Sequence, residues 1–571
     1  MRNIPWRLLA AAAFTAALLD LPFPLAGPLP VWRTLFAWFA LVPLLVAVLR
    51  LPHAFIGHRG RWYLGWSFLA GWLSGALWFG ANCYWVYDTM HIYGGLNPPL
   101  AVITLVLFSL FLGFWFGVFA LALSLIQLVS IEKKTACLPL AAVPILWTAM
   151  EFSLARIPEF PWDQLGYSQV DNQLLTQIAP WAGVYGITFV LALVNSLFAA
   201  ALVLERTQVR VSARVYCGSL GLLLFAIGAS GIFLNPSRPL ASATAVLVQP
   251  NLDVIQDDVW GVPEWDRHMA EFSRLGGQGC NVSYIAGLPE TGAAHGIIPC
   301  GPNPAPPDLI VWPESPAPFQ ERDPRFQAAM ASITAADKAP LIVGNIGMDY
   351  NEADQQYQIY NSASVVTLAG DFAGRYDKIH LVPFGEYIPF RRLLFFAQKL
   401  TRNLSDLAIG TNRKTFRINA ESCAHRYGIF ICYESVFGDE IRQFSRMGAE
   451  VLVNISDDGW YGDTSAPWQH LNMARMRAIE NRRWILRDTN NGVTASIDPY
   501  GTIRSSIPRH QVGSLAATFG YSSELTFYTV HGDWLPALCA ILALALLVWS
   551  TRVSLREISA KNPSRRAQLR S

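Results

Sequence analysis

Three residues that could cooperate in nucleophilic chemistry each follow a short apolar run. The segment DLIVWPES carries Glu314, GRYDKIHLVPFGEY carries Lys378 and then Glu386, and RYGIFICYESVFGDEIR carries Cys432. A thiol needs a base or a favourable field at neutral pH, because the thiolate is the reactive form. Glu314 could accept the proton of Cys432, and Lys378 could stabilise a developing oxyanion. The set predicts a cysteine nucleophile with its own base and counter-charge.

The local pattern around Cys432 is that of a turn between a strand and a helix. An apolar run with strand character ends at Ile431, and helical spacing begins near Ser435. We expect unpaired N–H groups at the start of that helix to favour the thiolate over the thiol. A buried cysteine at a strand end is also common as apolar filling, and Glu314 and Lys378 could simply pair at the surface. The functional interpretation depends on all three residues ending comparable strands.

The composition places these residues in a membrane protein. Of the 571 residues, 52% are hydrophobic and only 15% are charged, which is too apolar for a wholly soluble enzyme. The net charge of +2 indicates neither a nucleic-acid nor an acidic partner. Eight apolar stretches have the length that a bilayer-spanning helix needs: 8–27, 32–50, 64–86, 99–130, 136–155, 181–204, 214–234 and 533–551.

The basic residues orient these spans. If the N-terminus is cytoplasmic, the cytoplasmic flanks carry sixteen Lys and Arg residues, whereas the short loops opposite carry only Arg33 and Arg156. The long segment 235–532 then lies outside the cytoplasm. The first stretch could instead be a cleaved signal peptide. Cleavage would leave seven spans and break the charge alternation, so we interpret it as a retained helix, although Asp20 and two prolines interrupt it.

From Ala243 onward the pattern changes to short apolar runs that alternate with helical stretches. ATAVLVQ, DLIVWPE and PLIVGNI read as strands, and EWDRHMAEFSRL and RFQAAMASITAAD read as helices between them. The same alternation returns in ASVVTL, GIFICYE and EVLVNIS and ends in a hairpin with its turn at 498–501. This order is typical of an α/β domain with a layered sheet.

The remaining polar and cysteine positions give weaker signals. Cys280 and Cys300 bracket a Gly/Pro-rich loop on the oxidising side, where a disulfide and two free thiols are equally compatible with the sequence. No His/Cys cluster with ligand spacing occurs, so we expect no metal site. Glu151 falls within an apolar span, where an ionisable group usually faces protein or water. A polar group of the 160–172 segment is a candidate partner for it.

The ordered motifs WPES, YDKIHLVPFGEY, ICYES and NISDDGWYGDTSAPWQHL resemble the nitrilase superfamily, whose Glu-Lys-Cys triad performs acyl transfer through a thioester. With the multi-span N-terminal region, the FPWDQLGYSQVDN segment and one terminal helix, the whole chain resembles the apolipoprotein N-acyltransferase family. The resemblance implies a nitrilase-like αββα sandwich inserted between transmembrane helices 7 and 8 of an eight-helix membrane domain. The implied parts are helices 1–7 in residues 1–235, a periplasmic catalytic domain in 236–530, and helix 8 with a basic cytoplasmic tail in 531–571.

The resemblance also implies the reaction and its location. Cys432 would take a fatty acyl chain from a membrane phospholipid and pass it, as a thioester, to the α-amino group of a diacylglyceryl-cysteine at an apolipoprotein N-terminus. Glu314, Lys378 and Cys432 would be the catalytic residues. No cofactor is expected, since the ester already carries an activated acyl group. We expect a monomer in the bacterial inner membrane, with both termini cytoplasmic and no nucleic-acid partner.

Further site residues follow from the same resemblance. Glu386, Glu434 and Tyr433 would support the active site, although the two carboxylates could also be surface or structural pairs. Five aromatic residues are candidates for substrate binding, and the alternative for Trp460 and Tyr461 is core packing: Trp260, Phe395, Phe396, Trp460 and Tyr461. The stretch 390–400 reads as an amphipathic element at the lipid surface or as an ordinary packed helix.

Two other functions compete with this prediction. A membrane-tethered amidase could use the same residues on a small soluble amide, although eight spans would be superfluous for that substrate. A transporter with a soluble appendage is disfavoured because the spans hold few ionisable residues and no paired broken helices. Transport would survive Cys432→Ala, whereas acyl transfer would not.

Overall fold

The computed structural model describes residues 6–50, 60–133, 135, 137–204, 218, 240–254, 262–279, 301–302, 306–314, 319–352, 355–383, 385–387, 407–419 and 424–561. Seven helices precede the sheets within this part of the chain: Trp6–Asp20, Val42–Arg50, Gly60–Asn82, Trp85–Asp88, Pro98–Lys133, Leu138–Arg156 and Ala179–Val203. Short 3₁₀ or π turns join them at Val31–Trp38, Thr89–Tyr93, Leu165–Gln169 and Leu175–Ile178. A long helix, Trp534–Lys561, follows the sheets and packs back onto three of the earlier helices. These helices are called the helical domain below.

Several of these helices have the length and composition of membrane spans. Among the described residues, five qualify: Val31–Arg50, Pro98–Ile131, Leu138–Arg156, Leu175–Val203 and Trp534–Ser554. They coincide with five of the eight predicted stretches. The first predicted stretch is helical only as far as Asp20, because two prolines follow that residue and cannot donate a backbone hydrogen bond. The third corresponds to the helix Gly60–Asn82, and the predicted seventh span lies outside the described residues except for residue 218.

Glycines allow the helices Gly60–Asn82 and Pro98–Lys133 to pack closely. A Cβ atom at Gly75 would lie 2.7 Å from Cγ of Phe116, and one at Gly113 would lie 2.5 Å from the backbone nitrogen of Ala76. Small residues at such contacts let two helix backbones approach and gain dispersion energy where no hydrophobic driving force is available. This packing positions the end of the helix Gly60–Asn82, where Asn82 accepts a hydrogen bond from Gln469 of the domain described next.

Two six-stranded sheets form the core of the following domain, residues 240–531, called the sandwich domain. The strands are β1 (Ala243–Gln249), β2 (Gln278–Gly279), β3 (Gly301–Pro302), β4 (Leu309–Val311), β5 (Leu341–Asn351), β6 (Gln356–Val366), β7 (Phe372–Asp377), β8 (Thr415–Asn419), β9 (Ala424–Ile431), β10 (Val451–Ser456), β11 (Ile485–Thr489), β12 (Thr494–Ile497), β13 (Ile503–Ile507) and β14 (Gly513–Phe519). One sheet has the order β14-β1-β4-β5-β6-β7 and the other β13-β12-β11-β10-β9-β8. β2 and β3 form a separate pair.

The sandwich domain has four layers. Apolar residues of both sheets, such as Val311 and Ile429, share one buried core between the sheets. The helices Val262–Gly276 and Pro324–Asp337 cover the outer face of the first sheet, and Gly438–Arg446 and Ala466–Asn481 cover the second. A last short helix, Phe527–His531, leads back to the helical domain. The predicted layered α/β domain is therefore confirmed, and its layers run helix, sheet, sheet, helix.

The helix Ala466–Asn481 joins the two domains through buried polar groups. Gly183 has a positive φ of 63° that breaks the helix Ala179–Val203, so the regular helix resumes at Val184 with a free N–H group. Glu480 of the sandwich domain accepts that N–H at 2.9 Å and also pairs with Arg477 at 3.1 Å. A carboxylate at a helix N-terminus is favoured by the helix dipole. The two domains are thus docked by directional contacts as well as by apolar packing.

Candidate active site

Three strand ends deliver Glu314, Lys378 and Cys432 to one place. β4 ends shortly before Glu314, β7 directly before Lys378 and β9 directly before Cys432. All three residues are buried, with relative exposures of 7%, 1% and 5%. Lys378 Nζ lies 3.1 Å from Glu314 Oε1, and the charges of both side chains act on the Cys432 thiol. The structure therefore brings together the three residues that the sequence singled out, although they come from two different sheets.

Lys378 is held between two carboxylates. Its Nζ donates to Glu314 Oε1 at 3.1 Å and to Glu386 Oε1 at 2.9 Å. The side-chain amide of Asn361 donates to the same two oxygens, at 2.6 and 2.8 Å. The backbone N–H of Asp457 donates to the other oxygen of Glu314 at 2.8 Å. Both oxygens of Glu314 are thus oriented, and Glu386 is close enough to support Lys378.

The electrostatics keep Lys378 cationic. Burial opposes its charge, but the carboxylates of Glu314 and Glu386 outweigh burial and raise the pKa of Lys378 well above its ordinary value. A lysine with a raised pKa is a poor base and a persistent positive charge. Of the two groups, Glu314 is therefore the one that could accept a proton from the thiol, and Lys378 supplies a positive charge beside it.

The surroundings of Cys432 favour its neutral thiol form. Burial raises its pKa well above the ordinary value, the charge of Glu314 raises it further, and Lys378 lowers it only in part. The expectation that helix N–H groups favour the thiolate is wrong here. The residues after β9 form a 3₁₀ turn, Cys432–Val436, and the α-helix begins only at Gly438. The desolvation of the thiol outweighs the stabilisation of a thiolate by the N–H groups of so short a turn. Activation of Cys432 therefore requires transfer of its proton to a base.

The backbone of Cys432 is strained. Its φ angle is +49°, in the left-handed region that L-residues rarely occupy. Such a conformation costs on the order of 1–3 kcal/mol and persists only where its surroundings over-determine it. Here the N–H of the preceding Ile431 donates to Glu434 Oε2 at 2.7 Å, and the carbonyl of Cys432 itself lies 3.0 Å from Nε2 of His470. The turn is therefore fixed on both sides of the thiol.

Glu434 links two segments of the site. One is the turn Cys432–Val436, called the nucleophile turn after the predicted role of Cys432, and the other is the segment that follows β7. Glu434 Oε1 accepts from the hydroxyl of Tyr376 and from the backbone N–H of Ile379, each at 2.7 Å, while Oε2 accepts from Ile431. The residue is fully buried. Its carboxylate therefore links the backbone just before Cys432 to the residues that follow β7.

The aromatic residues near the turn separate into buried and exposed members. The Tyr433 ring is buried and its hydroxyl donates to the carbonyl of Glu159 in the helical domain at 3.0 Å. Tyr461 is buried against Trp85, with ring centroids 5.2 Å apart. Trp460 is exposed and contacts Tyr93 of the helical domain, with centroids 5.8 Å apart. Tyr433 thus connects the nucleophile turn to the helical domain, and Trp460 and Tyr461 connect the turn Asp458–Tyr461 to it.

Several sequence-derived candidates lie outside the described residues. These are Trp260, Phe395, Phe396, the cysteine pair Cys280 and Cys300, and the predicted amphipathic stretch 390–400. In the part of the chain that the structure describes, no group of three His, Cys, Asp or Glu side chains is arranged to hold a metal ion.

Glu151 has its partners in the helical domain. Its Oε1 accepts from the backbone N–H of Leu165 and from Nε1 of Trp147, each at 2.9 Å, and its Oε2 accepts from Thr188 at 2.8 Å. The contact with Leu165 confirms the 160–172 segment as a partner. Glu151 therefore anchors this segment beneath the sandwich domain.

That segment borders an aromatic cavity. The cavity is small, about 20 Å³, and its lining includes Phe23, Trp78, Phe116, Phe160 and Trp162. The indole of Trp162 is stacked on the ring of Tyr433, the residue after Cys432, with centroids 6.4 Å apart and an interplanar angle of 19°. An apolar space therefore lies one aromatic ring away from the nucleophile turn.

Four residues of the site were not identified from the sequence. Asn361 lies within β6, and nothing in the pattern NSASVV marks it as a carboxylate partner. Asp457 acts through its backbone N–H, which no sequence pattern reveals. His470 and Trp162 lie in the motifs PWQH and FPWD, so their motif membership was the only signal. These residues reach the site from distant parts of the chain.

Comparisons with known proteins cover nearly the whole chain. Residues 15–197 match the family described as apolipoprotein N-acyltransferase N-terminal domain, and residues 301–519 match the carbon-nitrogen hydrolase family. The chain is 32% identical to an apolipoprotein N-acyltransferase of Geobacter metallireducens, covering 93% of this chain and 92% of that protein. It is 31% identical to one of Pseudomonas putida, covering 94% and 95%. A solved structure of Saccharomyces cerevisiae Nit3, a nitrilase-superfamily member, aligns with a TM-score of 0.32 at 16% identity, over 50% of this chain and 92% of that one.

Proposed function

Because the chain belongs to the apolipoprotein N-acyltransferase family, we propose that it transfers a fatty acyl chain from a membrane phospholipid to an apolipoprotein. The acceptor is the α-amino group of an N-terminal S-diacylglyceryl-cysteine, and Cys432 carries the acyl group between the two substrates as a thioester. The resemblance found in the sequence motifs is confirmed at the level of the family. The chain is a multi-pass membrane protein with a nitrilase-type α/β domain.

The first half-reaction forms the thioester. Glu314 takes the proton from Cys432 Sγ, and the sulfur attacks the carbonyl carbon of the phospholipid ester. Negative charge develops on the carbonyl oxygen, where Lys378 and a backbone N–H beside Cys432 stabilise it. When the ester C–O bond breaks, Glu314 returns the proton to the leaving alkoxide. A lysophospholipid departs, and Glu314 is again ionised.

The second half-reaction transfers the acyl group to nitrogen. A neutral α-amino group attacks the thioester carbonyl carbon, and Glu314 accepts the proton that the nitrogen loses. Collapse of the tetrahedral species breaks the C–S bond, and the proton passes to the sulfur. The products are the amide and the free thiol of Cys432. Since the pKa of that thiol is raised, the proton returns readily and the resting state is restored.

The proposal that the substrates are lipids is supported most directly by the contact between Tyr433 and the helical domain. The residue after the nucleophile donates to the carbonyl of Glu159, which follows a helix long and apolar enough to cross a membrane. A thiol placed in this way can meet substrates that are themselves anchored in the bilayer. The aromatic side chains around Trp162 form apolar surface one ring away from Cys432, on the side of the helical domain. Tyr461 and Trp460 would border the path of the substrate, together with Trp260, Phe395 and Phe396.

The membrane arrangement proposed for this function has eight spans. Residues 1–235 would contribute helices 1–7, and residues 531–571 the eighth helix and a basic tail. Residues 236–530, with the sheets of the sandwich domain, would lie between helices 7 and 8 on the periplasmic side of the inner membrane, with both termini cytoplasmic. The distribution of Lys and Arg residues supports this orientation. We propose that the protein acts as a monomer, because each chain carries its own triad and helical domain.

The test is incubation of the purified protein with a phospholipid that carries a labelled acyl chain. We expect release of lysophospholipid and a hydroxylamine-sensitive label on the peptide that contains Cys432. Cys432→Ala should give neither product, and Glu314→Ala should remain folded but fail to form the acyl-enzyme. Addition of a diacylglyceryl peptide with a free α-amino group should then discharge the label. Hydrolysis of a small soluble amide without any labelling by phospholipid would favour the amidase alternative instead.

A further inference from the structure

The carbonyl of Cys432 is bound by a buried histidine from another helix. Nε2 of His470 lies 3.0 Å from that carbonyl oxygen. A carbonyl can only accept a hydrogen bond, so Nε2 must carry the hydrogen. His470 is fully buried, and Cys432 has the positive φ angle described above. The hydrogen bond therefore acts on the peptide unit whose strained orientation aims the thiol.

A buried charge network fixes the ring of His470. Its Nδ1 lies 2.9 Å from Asp458 Oδ1, and Asp458 Oδ2 accepts from Arg487 at 2.7 Å. The other branch of the Arg487 guanidinium donates to the side chain of Asn454, whose amide approaches the carbonyl of Phe430 in β9. Burial opposes the charge of Asp458, but Arg487 and His470 outweigh burial and hold the pKa of its carboxyl below the ordinary value. The carboxylate therefore stays ionised and keeps the ring in place.

One face of the His470 ring is covered by a residue of the helical domain. The indole of Trp162 lies parallel to the imidazole, with centroids 6.0 Å apart and an interplanar angle of 21°. Trp162 Nε1 donates to the side chain of Gln469 at 2.8 Å, and the amide of Gln469 donates to Asn82 Oδ1 at 3.1 Å. Gln469 and His470 are neighbours on one helix. One of them reaches the membrane helices, and the other reaches the nucleophile.

We propose that His470 is a positioning residue for Cys432 and that the Trp162 segment of the helical domain fixes His470 through Gln469. The orientation of the thiol is then set jointly by the two domains. This proposal rests on the proposed function only in taking Cys432 as the nucleophile. Because His470 binds the backbone carbonyl of Cys432, its loss should disturb the orientation of the thiol, slow the chemical step and leave substrate binding unchanged.

The matched variants are His470→Gln and His470→Asn. The longer amide can place its nitrogen where Nε2 lies and still donate to the carbonyl of Cys432, whereas the shorter amide reaches only as far as Nδ1. Both remain polar beside Asp458. His425→Gln is the control, because His425 also contacts a carboxylate and an aromatic ring but lies on β9 away from the thiol. Thermal unfolding of each variant establishes that the protein is folded.

Two readouts are compared in the full-length protein in detergent. The first is the rate at which chloroacetamide alkylates Cys432 without substrate, identified by peptide mass. The second is kcat and KM for acyl transfer from a phospholipid. We expect His470→Asn to lower kcat and the alkylation rate by at least about 10-fold with KM within about 2-fold, and His470→Gln to recover most of both. A folded His470→Asn variant with wild-type alkylation, or equal losses in the two variants, would overturn the proposal.

The role of Trp162 is tested by a double-mutant cycle. Trp162→Phe keeps an aromatic ring and removes the donor to Gln469, so we expect a loss of kcat of about 3- to 10-fold. If Trp162 acts through His470, the double variant Trp162→Phe/His470→Asn should be no slower than His470→Asn alone. Additive losses would overturn the part of the proposal that concerns Trp162. Absence of acyl transfer by the wild-type protein would count against the proposed function, and the alkylation rates would still decide the positioning role.

Discussion

Glu314 and Glu386 are bound by the same two donors. Lys378 lies 3.1 and 2.9 Å from their Oε1 atoms, and Asn361 lies 2.6 and 2.8 Å from the same atoms. Two carboxylates this close would repel each other strongly without cationic and amide donors between them. The shared donors hold Glu314 in a fixed orientation, and its remaining oxygen is bound by a backbone N–H. This arrangement couples the orientation of Glu314, the proposed base, to that of Glu386.

Asn361→Leu should slow acyl-enzyme formation by about 10- to 100-fold, which corresponds to about 1.4–2.7 kcal/mol. The substitution removes one donor from each carboxylate and leaves Lys378 as their only shared donor, so Glu314 loses its fixed orientation. The measurement is the single-turnover rate of thioester formation with a labelled phospholipid. Asn345→Leu is the control, because Asn345 is a buried asparagine of the adjacent strand that donates to Ser364 and not to a carboxylate. A folded Asn361→Leu protein with the wild-type rate would contradict this assignment.

The rate of Cys432 alkylation should still be rising above pH 9. Its pKa lies above the ordinary value of 9.0, because of burial first and Glu314 second. Neutralising the carboxylate in Glu314→Gln removes a charge that raises this pKa, so the resting thiol should be alkylated faster although turnover is lost. Lys378→Met removes the charge that lowers the pKa, and it should make alkylation slower.

These opposite shifts can be read from alkylation rates between about pH 7 and pH 10, with Cys432 identified by peptide mass. The structure describes three other cysteines that the reagent could modify: Cys83, Cys137 and Cys539. Their rates in the same samples serve as internal controls. Equal rates for the two active-site variants across this range would disprove the electrostatic assignment.

Protein stability should fall as the pH rises through about 8, in part because of Asp457. Burial first, and the charge of Glu314 second, raise the pKa of the Asp457 carboxyl from 3.8 to about 8. The folded state thus holds a proton that the unfolded state releases near pH 4. This contribution to stability is complete below about pH 4 and is lost as the pH rises through about 8. The melting temperature of the wild type should decline across this window, and Asp457→Asn should flatten the decline.

The quantity to compare between the wild type and Asp457→Asn is the slope of the melting temperature against pH, and not the melting temperature itself. Asp457→Asn also disturbs hydrogen bonds with the backbone N–H of Gly459 and the amide of Asn490, so its melting temperature should be lower at every pH. Thermal unfolding in detergent at several pH values separates the two effects. A variant as steep as the wild type would show that another group carries the pH dependence.

Glu480→Ala should destabilise the protein by about 3–5 kcal/mol, because it leaves the buried Arg477 without its carboxylate partner and the N–H of Val184 without an acceptor. Asp171→Asn is the matched control at the same interface. Asp171 pairs with Arg475 across the two domains but is partly exposed, so its loss should cost less than about 1 kcal/mol. Thermal unfolding measures both variants. Similar losses in the two would mean that the buried pair is not what docks the domains.

Local patterns were sufficient to find four strands of the sandwich domain, two of which lead to Glu314 and Cys432. β1, β4, β9 and β10 are short apolar runs bounded by polar or turn residues, so their period and punctuation are legible without a fold. β11 was missed because Arg487 and Asp488 interrupt its apolar pattern. Both side chains are fully buried in the structure, and Arg487 is paired with Asp458. A buried ion pair inside a sheet looks like a surface segment in the sequence, since its partner lies elsewhere in the chain.

The sequence by itself determined the class of protein, its family and the three residues that we propose as the triad. Composition and the lengths of apolar runs are properties of the chain alone, and the motifs around Glu314, Lys378 and Cys432 are contiguous. Tertiary structure decided the protonation of the thiol, the donors shared by the carboxylates and the contact of His470 with Cys432. These depend on burial and on distances between residues that lie far apart in the chain. Desolvation and through-space contacts exist only after folding, so no local pattern could reveal them.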